Sequence, residues 1–194
     1  MRVIITFLIS ISFVLSLYSQ NNYSVLNIEN DLKENANAVV RNHNISIEIN
    51  SLDEMIISEM RVITILNRFG DKYANTYEHY DDTRKILKMS LLVLDKWGKE
   101  IKKVKYSDFD DVSAVSGGQM YTDNRMKFFD YKPLEYPYTI VYESKYKEKS
   151  TAFINGWYPL DGYYLSVEKS SYKLSNKTNY SSSAIIIVEI FDQY

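Results

Sequence analysis

The sequence predicts an all-β fold, a mainly antiparallel β-sandwich with one or two short helices. Three observations carry that expectation. Short apolar runs alternate with polar residues at period two, the pattern of strands with one buried face. Clusters of Asn, Asp, Ser and Gly separate these runs at short intervals, as turns do. The helices of about 10–15 residues that would connect the strands of a parallel α/β sheet are missing.

The clearest strand is Tyr136–Tyr146. Tyr138, Ile140, Tyr142 and Tyr146 share one face when it is extended, and Thr139, Val141, Glu143 and Lys145 share the other. Pro137 stands just ahead of the run, where a missing N–H does least harm to a ladder. This strand is expected at the centre of the sheet, with Tyr138, Ile140 and Tyr142 buried.

From the N-terminal side, Asp31 with Glu34 three residues on reads as a helix start, and Leu32, Ala36 and Val39 or Val40 as one helical face. Ile45, Ile47 and Ile49 then alternate with Ser46 and Glu48. A turn at residues 50–53 leads into Met55–Leu66, so the two strands read as a hairpin. Residues 67–71 form the next turn. The spacing of Tyr73, Tyr77 and Tyr80 fits a helix and that of Tyr73, Asn75, Tyr77 and His79 fits a strand; the surroundings favour the strand. Ile86–Leu94, a turn at residues 95–99 and the lysine-rich Ile101–Val104 give a second hairpin, whose lysines mark a protected sheet edge. Residues 106–115 read as a short helix or loop, Met126–Tyr131 as a strand, and Ala184–Phe191 as a final apolar strand. Tyr163, Leu165 and Val167 alternate with Tyr164, Ser166 and Glu168.

Size and composition bound the rest. The chain has 194 residues, 45% of them hydrophobic, enough for one domain with a real core. Twenty-three basic and 25 acidic residues leave a formal net charge of −2, which gives no electrostatic case for nucleic acid. Tyrosine is the outlier, with 18 copies, 13 of them after residue 100. Strand packing accounts for them, and a Tyr-lined contact face is the sharper alternative. Cysteine is absent, which removes disulfides, thiolate metal sites and any thiol nucleophile. Met1-Arg2 followed by the apolar Val3–Leu17 reads as a signal peptide over residues 1–19, cleaved after Ser19, so the chain is expected to be exported. Residues 20–35 then form a lead-in and residues 36–194 the sandwich, with no membrane span after cleavage.

The order of several pieces resembles a known family. Ala36–Val40, the strand ending Leu66-Asn67-Arg68-Phe69-Gly70, Asp95–Lys103 with Tyr106-Ser107-Asp108-Phe109, Tyr121–Arg125 and Tyr136–Ile140 follow one another. Together, over about residues 36–174, they resemble the uncharacterised domain that precedes a transglutaminase-like domain in bacterial secreted and envelope proteins. The resemblance implies a β-sandwich of unknown function at the N-terminal side of a papain-type Cys/His/Asp domain. This chain has no Cys and stops before such a domain, so no catalytic residue carries over and it reads as a truncated or standalone copy. The function expected is a non-catalytic interaction or scaffolding module whose partner is a transglutaminase-like domain. The alternative is a free-standing binder of envelope polysaccharide or peptide.

No catalytic, metal or cofactor site is expected. His43 and His79 lack the His-Glu-x-x-His spacing and read as exposed. Asp108, Asp110 and Asp111 lack the Gly and Glu of a calcium loop, with Ser113 and Gln119 at those places. No Gly-x-Ser-x-Gly elbow or phosphate loop occurs. The candidate contact surface is Tyr121, Asp123, Arg125 and Trp157: Asp123 and Arg125 as a local ion pair beside Tyr121, and Trp157 as a core plug or a sugar platform.

Overall fold

The computed structural model describes residues 23–114, 123–178 and 185–193. The expected leader and Tyr121 lie outside them. The described residues form two sheets from ten strands: β1 (Ala38–Ser51), β2 (Glu54–Ile65), β3 (Thr76–Tyr80), β4 (Arg84–Leu94), β5 (Glu100–Val104), β6 (Asp110–Ser113), β7 (Arg125–Phe129), β8 (Tyr138–Glu148), β9 (Leu165–Asn176) and β10 (Ile185–Gln193). The large sheet has the order β10-β9-β1-β2-β8-β4-β5 and the small one β3-β7-β6. The protein is an all-β sandwich. Its pairings are antiparallel apart from β1 with β9, which run parallel.

Both hairpins form as the alternation predicts, and the Lys-rich β5 is a sheet edge. The ambiguous tyrosines divide. Tyr73 ends a 3-10 turn (Arg68–Tyr73), whereas Tyr77 and Tyr80 lie on β3. The 106–115 stretch yields a 3-10 turn (Tyr106–Asp108) and β6. β8 is interior, between β2 and β4, and β2 takes the middle place expected for it. Tyr138, Ile140 and Tyr142 are 1%, 0% and 3% exposed, as the register required.

Register alone explains which residues face the small sheet. Ala38, Ile65 and Tyr138 form one cross-strand row, and Val40, Ile63, Ile140 and Val93 the next. Beyond the register shift between Val40 and Asn42, the rows read His43-Arg61-Tyr142-Leu91, Ile45-Glu59-Ser144-Met89 and Ile47-Ile57-Tyr146-Ile86, ending on Met55-Glu148-Arg84. The apolar rows make two clusters. One packs against Phe109 and Phe129 of the small-sheet side; the other gathers Ile47, Met55, Ile57 and Tyr146. Between them the rows turn polar.

The opposite face is covered at one end by residues 23–36. Ile28, Leu32, Ala36 and Val39 bury one another there, over the hydroxyls of Thr64 and Thr139, which lie 2.8 Å apart and fully buried. Helix α1 (Asn30–Lys33) is a single turn. Its N-cap residue is Glu29 and Asp31 falls in the first turn without capping, which corrects the expected start. Leu32, Ala36 and Val39 do meet, but Val39 arrives on β1 and not on a helical face. No helix of the described residues is long and apolar enough to cross a membrane.

Two substitutions test this frame. A Cβ on Gly70 would stand 2.2 Å from the carbonyl oxygen of Asn37. Gly70→Ala is therefore expected to cost about 1–3 kcal/mol in urea unfolding, by forcing the backbone apart. Ile140→Ala removes a side chain with no solvent exposure and is expected to cost about 2–5 kcal/mol.

Candidate functional site

The polar rows of the inner face form the site. Met55, Ile57, Ile63 and Ile65 on β2 are interrupted by Glu59 and Arg61 on the same face. β1 adds His43, β8 adds Tyr142 and Ser144, and the first residue of β4 is Arg84. Glu78 reaches in from β3 of the small sheet. A long connection after β8 passes over the other side, bringing Asn155 and Trp157.

The charges pair in a definite pattern. His43 Nε2 lies 2.8 Å from Glu59 Oε1. Arg84 Nη2 donates to Glu78 Oε2 at 2.6 Å, and the same guanidinium lies 3.6 Å from the ring centre of Tyr146. Tyr142 donates its hydroxyl to Glu78 Oε1 at 3.2 Å. Arg61 donates to the carbonyl of Asn75 at 2.6 Å. Trp157 Nε1 donates to Ser170 Oγ at 3.1 Å, and that hydroxyl bonds to the backbone carbonyl of His43.

Burial decides several protonation states. It pushes the Glu78 carboxyl above its usual range, against the pull of Arg84. Burial also pushes Glu59 up, but the hydrogen bond and charge of His43, with Arg61 and Arg84, outweigh it, so Glu59 titrates below its usual range. Burial holds the Tyr146 hydroxyl up at about 12 and raises Tyr142 as well, so both phenols stay protonated donors.

Two adjoining cavities open on this floor and share Glu59, Arg84, Tyr146 and Asn155. One, of about 120 Å³, is walled by Ile45, Ile47, Met55, Ile57 and Tyr172. The other, of about 320 Å³, is lined by Arg61, Asn75, Glu78, His79 and Tyr142. The result is a cleft with a polar mouth and a narrow slot in which the apolar walls meet the charged Glu59, Arg84 and Glu148. Among the described residues no group of three acidic, His or Cys side chains is placed to hold a metal.

The residues singled out from the sequence sit elsewhere, with one exception. Asp123 and Arg125 do not pair with each other. Arg125 pairs with Asp111 at 2.9 Å across β6–β7 and donates to Tyr80, on the exposed small sheet. Tyr121 lies outside the described residues. Trp157 is half-buried, stacked on Tyr172 at 6.1 Å between ring centres. His79 is exposed as expected, while His43 is not: its side chain is only 17% exposed. The residues that sequence reasoning missed are Glu59, Arg61, Glu78 and Arg84. A visible signal existed for two of them, because Glu59 and Arg61 break an otherwise apolar alternation.

A family model described as a domain of unknown function with solved structure, DUF3857, matches residues 55–184. The chain belongs to the DUF3857 family. The match runs from the start of β2 past the end of β9, so β1 and β10 complete the sheet of this DUF3857 domain from outside it. No curated protein matches the sequence. Among solved structures, a crystal structure at 2.00 Å of a protein described as a "putative protease" from Parabacteroides distasonis ATCC 8503 aligns with a TM-score of 0.60 at 15% identity. The alignment covers 81% of the DUF3857 chain and 36% of that protein, so the chain spans little more than a third of its structural relative. The likeness is one of fold.

The ion pairs of the cleft set a pH test. The folded state holds Glu59 below its unfolded value, so its contribution is complete above the ordinary carboxylate range and is lost as pH falls through the lowered folded value. Glu78 has the opposite sign and contributes less as pH rises. Glu59→Gln is expected to lose roughly 1–2 kcal/mol at pH 7. The gap to the parent chain should narrow below about pH 4, read by urea unfolding at several pH values.

Proposed function

We propose that this chain is a non-catalytic, exported interaction module that accompanies a transglutaminase-like domain in the bacterial envelope. The observation that carries the non-catalytic part is the state of His43. Its ring pairs with Glu59, and among the described residues no hydroxyl hydrogen-bonds to it, which supports a structural role for the pair. The chain has no cysteine to act as a nucleophile. The apolar leader at residues 3–17 supports export. That the fold fills 36% of a longer protein described as a "putative protease" supports a module attached to an enzyme-like partner.

Two measurements test this reading. The purified mature chain is expected to show no turnover of casein or fluorogenic peptides; turnover that follows the folded chain and disappears in His43→Ala overturns the non-catalytic assignment. The coding sequence immediately downstream is expected to encode a Cys/His/Asp domain; its absence in every frame overturns the proposed accompaniment.

Exposed aromatics favour a second reading, a binder of envelope polysaccharide. Phe153, Tyr158 and Tyr163 stand 84%, 76% and 86% exposed on the connection between β8 and β9. A glycan array is expected to show binding that Tyr158→Ala or Tyr163→Ala weakens in a folded protein, and a blank array removes this reading.

A further inference from the structure

Arg61 is the cation of the cleft that makes no contact ion pair, although its charge acts on nearby Glu59. It takes part in none of the ion pairs among the described residues, whereas His43 and Arg84 each hold a carboxylate. Its one hydrogen bond goes to a neutral carbonyl, and its Nε is buried with no partner. A half-buried guanidinium at the mouth of a cavity, with donors to spare, is suited to a carboxylate from outside.

The opposite end of the cleft has the complementary imbalance. Glu148 lines the narrow slot and is in no ion pair; Arg84 beside it is already committed to Glu78. Arg61 and Met55, the β2 neighbour of Glu148, are six residues apart on one strand, about 20 Å at the rise of an extended chain. The slot of Ile45, Ile47, Met55, Ile57 and Tyr172 lies at the Glu148 end and runs toward Glu59. Its volume of about 120 Å³ is below the ~150 Å³ of an apolar cavity that takes one benzene. It admits one branched side chain and excludes a long alkyl tail.

We propose that the cleft binds a short extended peptide of about six residues, its free C-terminal carboxylate on Arg61, one apolar side chain in the slot and its N-terminal ammonium toward Glu148. An arginine and a carboxylate that stand outside any contact ion pair, a peptide's length apart along a cleft with a narrow slot, suit a zwitterionic chain, although Glu148 also sits beside Arg84 and Thr83. The proposal deepens the reading of the chain as an interaction module and is independent of any accompanying domain.

Isothermal titration of the mature chain with Ala/Gly hexapeptides carrying one Leu tests it. The free-acid peptides are expected to bind, with C-terminal amidation weakening binding at least tenfold. Arg61→Gln should weaken the free acid to the same degree and abolish the difference between acid and amide. Ile57→Phe, which fills the slot, should erase the preference for Leu over Ala while leaving the amidation effect. Thermal unfolding of each variant establishes that it is folded. Three results overturn the proposal: no hexapeptide binds the folded chain, acid and amide bind equally, or octanoate binds as tightly as the peptides. Each would leave the casein and downstream-sequence measurements untouched.

Discussion

Charge inside a sandwich has to be paired, and the architecture of this protein follows from that requirement. The inner face of the large sheet carries His43, Glu59, Arg61 and Arg84 between two apolar clusters. No single strand could neutralise them. β1 supplies the imidazole for Glu59, and the small sheet lowers Glu78 onto Arg84 and Tyr142. Losing one partner of such a pair costs more than the pair contributes, because the other charge stays buried. The small sheet is thus held to the large one by its fit over Phe109 and Phe129 and by a carboxylate that has nowhere else to go.

The same accounting marks where the structure is incomplete in itself. Glu59, Glu78 and Arg84 are matched within the chain. Arg61 and Glu148 are not, and both face cavities. Arg61 acts on Glu59 only at a distance, and Glu148 relies on Thr83 and the charge of Arg84, so these two groups are held less tightly than the paired ones. The exposed small sheet differs: Asp111, Arg125, Lys127 and Tyr80 satisfy one another at the surface, where ion pairs add little.

Much of the fold was legible because a strand with one buried face writes its periodicity into the sequence. Tyr138, Ile140 and Tyr142 needed no partner to be placed, and the Lys-rich β5 announced an edge. The site was less legible, because it is made by rows that cross strands. His43 reads as a surface residue within β1 alone; the register shift after Val40 and the neighbouring Glu59 turn it inward. Asp123 and Arg125 looked like a pair because they are close in sequence, yet two residues apart on a strand point the same way only if both are extended, and Arg125 found Asp111 across the ladder. Trp157, read from its neighbours Tyr158 and Pro159 as a core plug or a sugar platform, is half-buried and stacks on Tyr172 with its ring N–H on Ser170.

The position of β8 has a consequence for how the chain is made. It lies between β2 and β4, two strands that precede it by more than forty residues and belong to different hairpins. Until residues 138–148 have left the ribosome, each hairpin carries an open edge and an uncovered apolar face. Distant pairings of this kind are slow to form and expose chains to mispairing while they wait. Synthesis in order therefore leaves a long interval in which four of the seven strands of the large sheet wait for one strand.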